Sequence, residues 1–151
     1  MSSKRTKTFR ELHERERILV VPNPWDRGTA AILAAMGFEA LATTSAGCAF
    51  AAGRRDGDVS PEDVYAHCRD IVNASDLPVS ADLENGFGDD PAAVARCIAA
   101  AAQTGLAGGS IEDYTGSSDA PIYERSLAVA RIEAAMEAAR ELGDDFVLTA
   151  R

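Results

Sequence analysis

The chain has 151 residues, 46% hydrophobic and 26% charged, enough apolar material for one globular domain with its own core and too much for a disordered segment. A formal net charge of −9 argues against a nucleic-acid backbone as partner, because that binding needs a clustered basic surface. No apolar run approaches the roughly 18 residues of a membrane span and no charged-then-apolar leader opens the chain, so neither membrane nor export is expected.

Three cysteines, Cys48, Cys68 and Cys97, stand at wide spacing with no Cys-x-x-Cys pair. That pattern indicates neither a disulfide frame nor a zinc site, and it points to a reducing, cytoplasmic setting. The one basic cluster, Lys4, Arg5, Lys7 and Arg10, is interleaved with Glu11, Glu14 and Glu16 and reads as the solvated face of a polar helix over 3–17, with Phe9 and Leu12 on its other face. The pattern then changes to the branched run 18–22, which predicts a buried first strand.

Asp26 is placed to cap a helix carrying Thr29, Ala30, Ile32, Leu33 and Met36 to a stop at Gly37. A second strand is predicted at 40–44, followed by a small-residue loop over 45–53 and a polar stretch over 54–58, too long for a simple connector. Ser60 and Pro61 open a helix with Val64, Cys68, Ile71 and Val72 inward, ending near Asp76. The third strand is 77–82. Asp90 and Pro91 open the next helix, with Val94, Cys97, Ile98 and Ala101 buried and Gly105 closing it. A fourth strand at 106–111, a polar loop to Arg125, an alanine-rich helix over 126–142 stopped by Gly143, and a fifth strand at 146–150 complete the pattern.

Strands alternating with helices require parallel pairing, because each crossover helix returns the next strand in the same direction. The class is therefore α/β, either an open doubly wound sheet or part of a (β/α)8 barrel, for which about 250 residues are typical. Arg151 ends the chain at the carboxyl end of a strand with no helix to cover it, which favours the barrel. The expectation is a partial (β/α)8 TIM barrel with an N-terminal helix and strands one to five, truncated after the fifth. On that expectation residues 1–151 are the N-terminal portion of a single barrel domain.

The carboxyl ends of the predicted strands deliver Asn23 and Trp25, then Thr44 and Ser45, then Asp82 and Glu84, then Glu112 and Asp113, and finally Arg151. Such rims are where α/β folds carry their sites. Converging carboxylates repel unless a cation or proton intervenes, and Mg²⁺, with its preference for oxygen ligands, suits Asp82, Glu84 and Glu112. Arg151 supplies a bidentate partner for a substrate carboxylate. These groups suit a 2-oxo acid whose enolate a Lewis-acidic metal stabilises. Asp26 and Asp113 are expected as caps or ion-pair partners, and Trp25 as a core residue.

The segments Val21-Pro22-Asn23-Pro24-Trp25-Asp26, Thr43-Thr44-Ser45-Ala46-Gly47, Gly53-Arg54-Arg55-Asp56, Ala81-Asp82-Leu83-Glu84-Asn85-Gly86-Phe87-Gly88, Ile111-Glu112-Asp113 and Thr149-Ala150-Arg151 together resemble the isocitrate lyase and phosphoenolpyruvate mutase superfamily. The resemblance implies a (β/α)8 barrel and Mg²⁺-dependent chemistry, with Mn²⁺ as a substitute, on bonds beside the keto group of small carboxylates. It implies that Asp82 is the direct metal ligand, that Glu84 stands where a second aspartate is usual, and that Glu112 holds a metal-bound water. Asp56 resembles the aspartate near the reacting carbon and Arg151 the arginine on the substrate carboxylate, both catalytic. Thr44, Ser45, Ala46 and Gly47 fall where the substrate is gripped. A homo-oligomer is implied for the full-length form.

Departures narrow the reaction. The Lys-Lys-Cys-Gly-His loop of isocitrate and methylisocitrate lyases is absent from the stretch 114–120, the mutase's lysine- and asparagine-bearing gate is missing, and Ala42 replaces an aromatic residue. A lyase- or decarboxylase-like branch cleaving a C–C bond fits best. The alternatives are P–C chemistry like that of phosphoenolpyruvate mutase or phosphonopyruvate hydrolase, and an inactive half-barrel or interaction module. A nucleotide-binding doubly wound domain is a weaker reading, because no glycine-rich phosphate motif follows any strand.

Overall fold

The computed structural model of the chain describes residues 4–143 and 145–151. Ser3, where the first predicted helix begins, lies outside them. The elements run α1 (Lys4–Glu14), α2 (Arg27–Ala35), β1 (Leu41–Ala42), α3 (Ser45–Ala51), α4 (Pro61–Val72), β2 (Val79–Asp82), α5 (Pro91–Ala102), β3 (Gly108–Ile111), α6 (Arg125–Leu142) and β4 (Val147–Ala150). The four strands form one parallel sheet in the order β1-β2-β3-β4. Every crossover therefore advances to the next position. A doubly wound sheet reverses its strand order at a switch point, whereas a barrel wall does not, and the fold is the predicted α/β class, a portion of a (β/α)8 barrel.

Helix starts follow from local chemistry. The Asp26 carboxylate accepts the Thr29 N–H at 2.8 Å while the Thr29 hydroxyl accepts the Asp26 N–H at 3.1 Å, a reciprocal capping box on α2. Ser60 caps α4 by accepting the Asp63 N–H, Asp90 caps α5 by accepting that of Ala92, and each is followed by proline at the first helical position. α4 ends at Val72 with Asn73 as its C-cap, short of the predicted end near Asp76.

The strands bury alternate residues. Val79, Ala81 and Leu83 lie in the main core with Val64, Cys68 and Ile71 of α4, Val94, Cys97 and Ile98 of α5, and Ala135 and Ala139 of α6. Ser80 and Asp82 alternate with them and are half-buried. A second small cluster joins Phe9 of α1 to Ala40 and Ala107, which immediately precede β1 and β3, so α1 closes the amino end of the sheet. The three cysteines are free and buried, and burial pushes the Cys68 thiol up to about 12 and that of Cys97 to about 11. Among the described residues no helix is long and apolar enough to cross a membrane.

Two predicted elements differ. The segment 18–22 is not a buried strand: Ile18 and Val20 are 82% and 61% exposed, and it reaches the sheet through the Ala42 N–H, which donates to Pro22 O at 3.1 Å. Leu19 and Val21 pack toward Phe9. Branched residues signal a pleated surface but not how many neighbours the strand has, and this segment has a packed side and an open one. The predicted loop 45–53 instead contains α3, capped by Thr44, whose hydroxyl accepts the Gly47 N–H at 3.5 Å.

Gly108 meets its neighbours most tightly. A Cβ there would fall 2.4 Å from the backbone oxygen of Val147 and 3.0 Å from Phe9 Cε1. Because the first of these is backbone in the adjacent strand, it cannot turn aside. Gly108→Ala is expected to destabilise the chain by about 1–3 kcal/mol through forced strand displacement, measured as a fall in the urea midpoint.

Candidate functional site

Asp82 is the last residue of β2, and the pleat that buries Val79 and Ala81 turns it to the other face. Its N–H donates to the Thr43 hydroxyl at 3.1 Å. Its carboxylate accepts the Ser45 N–H on Oδ2 at 3.3 Å and the Glu84 N–H on Oδ1 at 3.1 Å. Ser45 opens α3, so its N–H has no acceptor within that helix and is free for Asp82.

The next strand ends bring the partners. Glu112 follows β3 directly, and its N–H donates to Glu84 O at 2.9 Å. Arg151 follows β4, its N–H donating to Ile111 O at 2.9 Å while its own carbonyl accepts the Asp113 N–H at 3.0 Å. The Arg151 guanidinium donates to Glu112 Oε2 and stands 3.8 Å from Asp82 Oδ2. The side chains of Asp82 and Glu112 are 14% and 15% exposed against 59% for Arg151, so largely buried anions face a cation reaching in from solvent.

Ser45, Asp56, Glu84, Glu112 and Arg151 line one cavity of about 470 Å³, together with Asn85 and Tyr114. Asp82 and Thr44 line an adjoining space of about 370 Å³ across the polar face of the strands, and Arg151 borders both. Ala46 and Gly47 line neither. Gly47 is buried against Trp25, where a Cβ would fall 2.6 Å from the indole Cδ1. Trp25 itself is not core: it is 49% exposed and meets Phe50 edge-on at 6.0 Å. Asn23 is exposed and donates through Nδ2 to Ala42 O at 3.0 Å.

Burial raises the Glu84 pKa, and the charges of Asp56, Asp82 and Glu112 raise it further. Burial opposes the charge on Arg151, yet Asp82 and Glu112 outweigh it and the guanidinium's pKa rises. Asp56 is exposed on its turn and acts on both. Among the described residues no three His, Cys, Asp or Glu side chains are gathered closely enough to hold a metal ion. Asp82, Glu84 and Glu112 thus share a rim without converging as a ligand cluster, and Arg151 reaches between two of them. Sequence reasoning passed over Tyr114 as a lining residue and Tyr123, whose hydroxyl accepts from Asn85 Nδ2 at 3.0 Å. Both lie in a polar loop with no periodicity to mark them.

Residues 9–151 match the family described as phosphoenolpyruvate phosphomutase. Among solved structures the chain is similar to a Burkholderia cenocepacia protein provisionally assigned as a lyase/mutase, at 55% identity and a TM-score of 0.96, covering 98% of this chain and 53% of that one. It is also similar to 2,3-dimethylmalate lyase, a PEP mutase/isocitrate lyase superfamily member, at 31% identity and a TM-score of 0.90, covering 100% of this chain and 54% of that one. Escherichia coli 2-methylisocitrate lyase is 29% identical over 153 residues, covering 96% of this chain and 51% of its own. The chain spans about half the length of the curated relatives it matches.

The raised pKa of Glu84 sets a pH dependence. A carboxyl protonated more readily in the folded than in the unfolded chain favours folding below its unfolded value, and that advantage is lost as pH rises through the folded one. Glu84→Gln removes the ionisation. The variant is expected to melt above wild type at pH 7, with the gap closing toward pH 4, in thermal unfolding followed by circular dichroism.

Proposed function

This chain belongs to the phosphoenolpyruvate phosphomutase family of the PEP mutase/isocitrate lyase superfamily, and on that premise we propose that it carries the metal- and carboxylate-binding half of a Mg²⁺-dependent carbon–carbon lyase acting on a small 2-oxo or 2-hydroxy carboxylate. The observation that carries the reading is the Asp82 carboxylate, fixed by the N–H groups of Ser45 and Glu84 and facing Glu112 and Arg151. The donor set fits a hard divalent ion, being all oxygen. Burial does most to raise the Glu84 pKa, and the added upward push of Asp56, Asp82 and Glu112 marks crowded negative charge that a cation would relieve. Asp82 would hold the ion directly, Glu112 and Glu84 would hold it through waters that Mg²⁺ retains, and Mn²⁺ could replace Mg²⁺. When bound, the ion supplies Lewis-acid stabilisation of the oxyanion that develops as a bond beside a keto group breaks.

The chain's own groups divide the remaining work. Arg151 binds a substrate carboxylate through its planar fork, and its exposure lets it turn from Glu112 toward a ligand in the cavity. Thr44 and Ser45 shape the strand-side wall. Among this chain's own groups, Asp56 at the cavity edge is placed for proton transfer. Isothermal titration with Mg²⁺ and oxalate is expected to show metal-dependent binding that Asp82→Ala weakens about 100-fold, about 2.8 kcal/mol at 1.4 per tenfold. Unchanged affinity in that variant would remove the metal role from Asp82.

A second reading is that the chain is a half-barrel that works by association, favoured by the apolar surface beside β4. There Ile122, Val129 and Met136 are exposed around an open space of about 590 Å³ along α6. Sedimentation should then show concentration-dependent species heavier than the 15.9 kDa monomer, and a single monomeric species would count against it.

A further inference from the structure

Arg131 on α6 is 1% exposed. A guanidinium so placed must find its acceptors inside the protein. Nη1 donates to Gly88 O and Asp89 O, each at 2.6 Å, and Nη2 donates to Asn85 O. The guanidinium carbon lies 4.1 Å from the centre of the Tyr123 ring. Carbonyls from one loop converge on a single fork because the chain passes through left-handed backbone at Glu84, Gly86 and Phe87, with φ of 51°, 79° and 59°. Glu84 and Phe87 hold that conformation without being glycine, which persists only where the surroundings over-determine it.

Tyr123 extends the grip. Its hydroxyl donates to Asp89 Oδ1 at 2.5 Å and accepts from Asn85 Nδ2 at 3.0 Å. The gripped loop starts at Glu84, whose N–H meets Asp82 Oδ1 and whose carbonyl takes the Glu112 N–H. The loop backbone thus links the ends of β2 and β3, and Arg131 holds it from outside the site.

We propose that Arg131 is a positioning residue which, with Tyr123, locks the loop 84–89 in its left-handed turn and so sets the spacing of Asp82, Glu84 and Glu112 for a divalent cation. The consequence for cation binding rests on the function proposed above. The lock itself does not. A lysine cannot reproduce it, because an ammonium lacks the planar fork that serves several carbonyls at once.

The test uses the full chain as wild type, Arg131→Met, Arg131→Lys and Tyr123→Phe, with amide hydrogen exchange and Mn²⁺ titration followed by electron paramagnetic resonance. In Arg131→Met, exchange across 84–89 is expected to quicken about tenfold while α5 and β3 keep wild-type rates, and the Mn²⁺ dissociation constant to rise about tenfold, the scale of an outer-shell loss. Arg131→Lys should recover only part of either. Exchange unchanged in 84–89, or quickened evenly along the chain, would overturn the lock, and unchanged Mn²⁺ affinity in a loosened loop would overturn its role at the site. If Arg131→Met does not fold, Tyr123→Phe decides: local quickening over 85–89 supports the lock and wild-type exchange refutes it. Should wild type bind no Mn²⁺, the metal reading and the claim on spacing both fall, and the exchange pattern still judges the lock.

Discussion

Asp82 ties the end of β2 to its surroundings, because its amide and both carboxylate oxygens are each committed to a different partner. The Thr43 hydroxyl receives the amide, the first N–H of α3 meets Oδ2, and the Glu84 N–H meets Oδ1. A partly buried carboxylate needs such donors, since leaving it unpaired costs several kcal/mol. The start of α3 is therefore not incidental. A helix leaves its first N–H groups without internal partners, and here one of them is spent on the carboxylate at the end of the neighbouring strand.

Parallel pairing gives that carboxylate its company. All strands finish at one edge, so whatever residue ends or follows each strand is delivered to the same rim, as Asp82, Glu112 and Arg151 are. The opposite edge is built differently, from Phe9 against Ala40 and Ala107, where side chains are small enough for α1 to close over the strand starts. One end of the sheet is thus apolar and filled and the other polar and open. Helices α4, α5 and α6 cover one face through Val79, Ala81 and Leu83, and the alternate residues remain for the site.

Much of this was legible in the residues because the signals are local. Asp26, Ser60 with Pro61 and Asp90 with Pro91 mark helix starts by chemistry that depends on a few neighbours, and Val94, Cys97, Ile98 and Ala101 mark a buried face by spacing alone. The failures have a different origin. Whether 18–22 is a buried strand depends on what lies at its open side, which no pattern within it records. α3 is composed of Ser, Ala, Gly, Cys and Phe with no amphipathic stripe, and Thr44 serves equally as turn residue and cap. Arg131 sits in an alanine-rich helix where arginine ordinarily faces water, and its burial follows from carbonyls on a loop more than forty positions away. The rim residues were readable as strand ends, but the placing of Arg151 between Asp82 and Glu112 is a matter of three dimensions.

That placing bears on how the site can work. A guanidinium and a divalent cation seek the same oxygens, and Arg151 already takes Glu112 Oε2 and approaches Asp82 Oδ2. A bound cation would compete with Arg151 for those oxygens. The direction open to the guanidinium is the cavity shared with Ser45, Asp56 and Glu84, where its charge is the natural counterpart of an anionic ligand. On the function proposed here, an ion that took Glu112 would leave Arg151 to the substrate carboxylate. Asp82 is held by three hydrogen bonds while the Arg151 side chain is 59% exposed, so the carboxylate is the anchored member of the pair and the guanidinium the one with room to change partners.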